Sequence, residues 1–345
     1  MDFCEFQEHL NEGIRILRST MSISPPFDPN RPYAEKNLYA NAANNIGQEI
    51  YKASGNVKFA EIYYAEMIKQ TIAFEDQNSI TFNKGIFYAN YGIYLLAQGH
   101  IELGTAYLFA AEEEDREIAD KDWFIDDTHL WLQFENPIVH QLYQRVCAVS
   151  SQFQFTLTDD FIEDFIKSLS AYKHDRQLRV FFVTTVMSIF KSLLLLQSLS
   201  PNNFIRSQLY VGLHNICLLT EVLLKQNHTG SNLASLLGAA LGYQHQPPSN
   251  WRDFWRVEGL EDYLKKINYA LDLSLPIDIG EVCTRLTRNF TSHHFEVTVK
   301  PSEDQELAVG QTFDQLYEKI LSHILALLFY LKHEGKILTS PEGKP

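Results

Sequence analysis

Basic charge is in short supply in this chain. Its 345 residues hold 29 Lys and Arg against 43 Asp and Glu, a formal net charge of −14 at pH 7. A protein with that balance does not draw in polyanions through its overall field, so any nucleic-acid contact has to be local and salt-sensitive. The deficit is uneven: residues 1–205 carry 16 basic against 27 acidic side chains, and residues 206–345 carry 13 against 16. Cysteine is scarce too. Cys4, Cys147, Cys217 and Cys283 lie far apart with no Cys-x-x-Cys pair, which argues against a disulfide framework and against a cysteine-based zinc site. Long apolar runs are missing. The longest, 180–190, is interrupted by Lys191 before Leu193-Leu194-Leu195-Leu196, and it reads as a buried helix too short for a bilayer. Met1-Asp2-Phe3-Cys4-Glu5 has neither the basic nor the apolar region of a secretory signal, so a cytoplasmic location and no membrane partner are expected. Glycine-rich phosphate loops and Ser-His-Asp arrangements are likewise missing, which sets NTPase and nucleophilic-hydrolase readings aside; no cofactor is expected.

What the sequence does hold is helical periodicity. Apolar residues recur at steps of three and four nearly throughout and few windows alternate with period two, so the fold class is all-α. A first amphipathic helix is expected over about 3–20, followed by a loop at the proline-rich segment 24–32, since proline removes donors and restricts its predecessor. The acidic run Glu112-Glu113-Glu114-Asp115, with Glu117, Asp120, Asp122, Asp126 and Asp127 behind it, has no ligand spacing diagnostic of an ion. It reads as a solvated helix face rather than a metal site.

Two segments resemble one another. The first runs Asn44, Gly47, Tyr51, Gly55, Val57, Ala60, Tyr64, Met67, and the second Tyr88, Tyr91, Leu95, Gly99, Ile101, Gly104, Leu108, Ala111. Gly55 and Gly99 permit a positive-φ turn, and the small residues Ala60 and Gly104 let two helices approach closely. Over about 37–118 the pattern resembles tetratricopeptide helix pairs, with a repeat of 44 residues between Gly55 and Gly99 where that family uses about 34. Residues 1–200 are expected to form a helical repeat or scaffold domain. Its excess of negative charge suits a protein or peptide partner rather than RNA.

Residues 204–335 are expected to form a second helical bundle after a turn at 198–203, with 336–345 as a polar tail. On its first helix, expected over about 204–227, Tyr210, His214, Cys217, Glu221 and Leu224 share one face. His214 and Glu221 on an apolar stripe call for polar partners, or else Glu221 sits at the stripe's edge and binds a nearby Lys or Arg. Helices at about 250–272, 278–288 and 311–333 complete the bundle. The segment Arg288-Asn289-Phe290-Thr291-Ser292-His293-His294 follows, where a helix is expected to give way to an irregular segment and an extended run at 295–299.

Arg288-Asn289-x-x-x-His293, between a long helix bearing Glu221 and a long apolar helix, resembles the Arg-x4-6-His motif of HEPN (higher eukaryotes and prokaryotes nucleotide-binding) domains. That resemblance implies a metal-independent endoribonuclease acting as a homodimer on single-stranded or looped RNA, in a host-defence or toxin-like setting. The catalytic set it implies is Arg288, Asn289 and His293, with His294 as the alternative histidine and with His214 and Glu221 in support. The residue types suit the chemistry. Histidine moves protons near neutral pH, and a guanidinium matches phosphate oxygens and stays charged. The same features also fit a non-catalytic scaffold whose bundle dimerises or binds a nucleotide. Surplus apolar residues on the last helix, Leu325 and Leu328 beside the stripe from Phe313 to Leu331, are expected to meet a second copy.

Overall fold

The computed structural model describes residues 1–119, 137–171, 176–199, 203–249, 251, 253–293 and 313–338. Among them are thirteen α-helices and no strand beyond one isolated bridge between Pro32 and Ala119, so the protein is all-α. The chain divides into two compact units, Met1–Asp126 and Asp127–Pro345.

The first unit holds α1 (Phe3–Ile23), a 3-10 turn (Tyr33–Glu35), α2 (Asn41–Ser54), α3 (Val57–Asn78), α4 (Gly85–Ala97) and α5 (Ile101–Arg116). Asp2 starts α1 as a capping box: its carboxylate accepts from the Glu5 N–H at 2.9 Å, and the Glu5 carboxylate accepts from the Asp2 N–H at 2.8 Å. That arrangement satisfies donors a helix start leaves free. α2 with α3, and α4 with α5, form the two expected helical hairpins. Gly55 (φ +61°) and Gly99 (φ +82°) occupy their turns in the left-handed region. At the α4–α5 crossing a Cβ on Gly104 would lie 2.8 Å from the Gly92 carbonyl oxygen, so the close approach depends on glycine. α1 joins the first hairpin as a third helix, with Phe6 stacked on Phe59 at 4.5 Å.

The acidic run is a solvated face only in part: Glu113 and Glu117 are exposed, and Asp120, Asp122, Asp126 and Asp127 lie outside the described residues. Glu112 and Asp115 are buried, Asp115 pairs with Lys36, and Lys84 lies 3.0 Å from Glu75 and 3.3 Å from Glu114. Burial alone would lower the Lys84 pKa, but the two carboxylates outweigh it and raise it. Lys36 and Lys84 come from outside the run, which is why composition read along the chain does not reveal the pairing.

The second unit comprises α6 (Pro137–Gln152), α7 (Asp159–Ala171), α8 (Arg176–Ser198), α9 (Asn203–Asn227), α10 (Leu233–Leu241), α11 (Leu260–Leu271), α12 (Pro276–His293) and α13 (Phe313–His333). The boundary therefore falls well before the expected turn at 198–203, because α8 packs along α9 and α6 along α13. The same packing removes the surplus on α13. Leu325 and Leu328 are buried within the chain, and Phe329 meets Phe161 and Phe165 edge-on at 6.1 and 5.2 Å. Among the described residues no apolar stripe on α13 is left over for a second copy. In α8, Gln177–Leu196 is long and apolar enough to cross a membrane, since neither Arg179 nor Lys191 breaks the helix, but more than half of it is buried in the unit.

Two further expectations change. Residues 253–259 are not the start of a helix: Gly259 (φ +138°) sets the N-terminus of α11 at Leu260, and Lys266 holds the preceding loop by donating to the Arg256 carbonyl at 2.6 Å. The tail begins later than 336. Ile337 and Leu338 are buried, and Asn227 and His228 both bond the Lys336 carbonyl, at 3.1 and 2.9 Å.

Candidate functional site

α12 carries the motif and continues to His293, five residues past its expected end. Arg288 and Asn289 are therefore helical, and successive helical residues point about 100° apart. Arg288 faces α9. Its Nε donates to Glu221 Oε2 at 3.1 Å and its Nη1 to Ser292 Oγ one turn on. Among the described residues its Nη2 makes no hydrogen bond. Glu221 also accepts from Lys225 at 2.6 Å. Burial pushes the Glu221 carboxyl upward, but bonds from Lys225 and Arg288 outweigh that and hold it below its ordinary value. Two cations around one carboxylate leave the cluster net positive.

The shared face expected on α9 is the one that docks on α12. Tyr210 and Cys217 are buried, Tyr210 meets Phe290 at 5.4 Å, and His214 Nδ1 lies 2.8 Å from Thr291 Oγ1. The His214 pKa is lowered, by burial first and then by the Arg288 guanidinium, with Glu221 opposing. His214, Glu221 and Arg288 thus belong to one polar seam in a mostly apolar interface. Glu221 binds both Lys225 and Arg288, so the two readings of its position hold together.

Asn289 points to the loop before α11. Its Nδ2 donates to the Trp255 carbonyl at 2.8 Å, which commits the amide nitrogen away from the Arg288 side. The same face of α12 carries Arg285 and Glu281 at steps of four. Arg285 lies 3.3 Å over the Trp255 ring and 2.8 Å from Glu281, whose second oxygen accepts from the His245 N–H at 3.1 Å. By helical register His293 ends α12 one turn after Asn289. The His293 imidazole, His294 and the extended run expected at 295–299 lie outside the described residues.

Sequence reasoning missed Lys225, Ser292, Thr291, Arg285 and Trp255 as members of this constellation. A usable signal existed for three of them: Glu221/Lys225, Glu281/Arg285 and Arg288/Ser292 are all i,i+4 pairs, which meet on a helix surface. Nothing local marks Trp255, which acts through its carbonyl and ring face. Among the described residues no group of three His, Cys, Asp or Glu side chains is arranged to hold a metal ion. No protein-family model, curated protein or solved structure matches this chain.

Proposed function

We propose that the second unit is a metal-independent endoribonuclease of HEPN type acting on single-stranded or looped RNA. One observation carries the reading: Arg288 is fixed by Glu221 and Ser292 on a net-positive seam, with Nη2 left to take a phosphate oxygen. A guanidinium whose other nitrogens are anchored offers that donor without the entropic cost of ordering it. In this reading Arg288 stabilises charge on the scissile phosphate, His293, with His294 as the alternative, transfers protons, and Asn289 holds the Trp255 loop beside them. The seam is local positive charge in an acidic chain, so binding should fall steeply with salt. A homodimer would pool two such sites, and since α13 is spent on the core its contact must use another face. The first unit, with its helical hairpins and acidic surface, is the part suited to a protein or peptide.

A second reading draws on the Arg288–Glu221 pair itself, which ties α9 to α12 as a purely structural ion pair of a scaffold would. One experiment separates them. Purified full-length protein is incubated with single-stranded RNA and with DNA of the same sequence in EDTA. Cleavage of RNA alone, ending in a 2′,3′-cyclic phosphate and lost in Arg288→Ala with the fold retained, is the expected result. RNA left intact by the parent protein, with Arg288→Ala only less stable, favours the scaffold.

A further inference from the structure

Thr291 Oγ1 has two close neighbours and one proton to give. It lies 2.8 Å from the Thr287 carbonyl oxygen, which can only accept and takes that proton when His214 carries its own on Nδ1. In that arrangement the oxygen offers His214 Nδ1, also at 2.8 Å, a lone pair that accepts the Nδ1 hydrogen. A neutral imidazole protonated on Nδ1 has a bare lone pair on Nε2. Among the described residues nothing hydrogen-bonds that nitrogen, and it is not among the sealed, unpartnered atoms, so it is open to an incoming proton.

The surroundings keep the ring neutral. Burial and the Arg288 charge from α12 lower its proton affinity, while Glu221 on its own helix opposes them. Of the other elements packed on α9, α10 carries no charged residue, α8 presents the Thr185 hydroxyl to Asn215, and neither Lys191 of α8 nor Glu318, Lys319, His323 or Lys332 of α13 adds to the balance. A neutral histidine in that tautomer beside a phosphate-binding arginine has the two properties a general base needs, a defined lone pair and a proton affinity below the working pH.

Building on the ribonuclease reading, we propose that His214 is the general base, taking the ribose 2′-hydroxyl proton on Nε2 while Arg288 of the same chain holds the scissile phosphate. The O2′–H bond breaks with its proton passing to Nε2, O2′ bonds to phosphorus, and the P–O5′ bond breaks. The leaving 5′-oxygen takes a proton from water, and the His214 imidazolium returns its proton to the hydroxide left behind. Atoms and charge balance with no metal, oxidant or water consumed. Base and phosphate anchor come from one copy, so a second copy is not required to supply either. Thr291 is the positioning residue that holds the Nδ1–H tautomer.

The test uses the full chain on single-stranded RNA in EDTA over about pH 4.5 to 8. The parent should lose kcat/KM on an acidic limb below the ordinary histidine range. His214→Gln should lower kcat by roughly 10²-fold or more and abolish that limb, and Thr291→Val should keep the histidine but move the limb further down, since it removes the acceptor that the imidazolium's Nδ1–H uses. Nitrogen-15 spectra of the parent, which need no variant, should show His214 with a protonated Nδ1 and an unprotonated Nε2. Mixing Arg288→Ala with His214→Gln protein should restore nothing, because both defects belong to one site. Activity of His214→Gln within about threefold of the parent, with Arg288→Ala inactive, overturns the assignment of His214 and leaves the ribonuclease reading standing. A His214 spectrum of the opposite tautomer also overturns it. A parent protein that cleaves no RNA overturns the ribonuclease reading and this role with it.

Discussion

Replacing Arg285 with alanine should cost the second unit more stability than any surface substitution, because of what it strands. The Glu281 carboxylate is wholly buried, and Arg285 is its only charged partner among the described residues, at 2.8 Å, with a side chain 8% exposed. Without the guanidinium that carboxylate keeps one donor among the described residues, the His245 N–H at 3.1 Å. Breaking a buried pair by removing one member costs about 3–5 kcal/mol, since the remaining charge is left in a poor solvent. The loss of the cation over Trp255 is part of the same event and is not added to it. At roughly 2–4 °C per kcal/mol for a domain of about 200 residues, Tm should fall by about 6–20 °C. Circular dichroism melts and urea titrations of the full chain read this directly. Removing both charges, as Glu281→Met with Arg285→Met, should recover most of the loss, because a buried pair and a packed apolar pair differ little. An Arg285→Ala protein within about 1 kcal/mol of the parent would refute the account of Glu281 as a carboxylate dependent on that partner.

Gly104→Ala should destabilise the first unit by about 1–3 kcal/mol, because the added methyl meets the Gly92 carbonyl at 2.8 Å and Leu96 Cγ at 2.7 Å; the urea midpoint measures it. Gly55→Ala should cost about 1–2 kcal/mol for the left-handed conformation alone, since nothing lies within 4 Å of the added carbon, and Gly55→Asn should cost less in the same titration. The His323 pKa is lowered from 6.5 to about 4 by burial, and among the described residues its Nδ1 has no hydrogen-bond partner. With a folded pKa below the unfolded one, its contribution is full above pH 6.5 and lost as pH falls toward 4, by about 3 kcal/mol; urea midpoints compared at both ends of that window should show a flatter slope in His323→Gln.

Periodicity made the helices legible, and their pairing was legible wherever one residue type served one purpose. Gly55 and Gly99 announce turns because left-handed backbone favours glycine, and the stripe on α9 identifies its docking face through spacing alone. What stayed hidden depended on distant partners. The acidic run looked solvated because Lys36 and Lys84 lie far upstream in sequence. The apolar excess on α13 looked like an interface because the helices that cover it, α6 and α7, seemed to belong to the other domain. At the candidate site, Arg288, His214 and Glu221 lie on one seam while Asn289 turns to another element, and that separation was not legible. Treating Arg288 and Asn289 as neighbours in an irregular segment put them on one side, whereas a helix continuing to His293 turns them toward different elements.

That division bears on why the seam holds its geometry. A helix anchored along one face can still roll about its axis, and a roll of 20° would move a side-chain tip 5–6 Å from the axis by about 2 Å, given a side-chain-inclusive radius of that order. α12 is gripped on two faces about 100° apart. On one, Glu281, Arg285 and Asn289 bind the loop that carries His245 and Trp255. On the other, Arg288 and Thr291 bind Glu221 and His214 of α9. Tyr263 stacked on Phe290 at 4.4 Å, with its hydroxyl 2.8 Å from Thr287 Oγ1, adds a third constraint from α11. Rolling the helix to relieve one set of bonds lengthens the others. The position of Arg288 Nη2 is therefore set by the Trp255 loop and Tyr263 as well as by α9, and loosening that loop should disturb the Arg288 side of the helix without touching it.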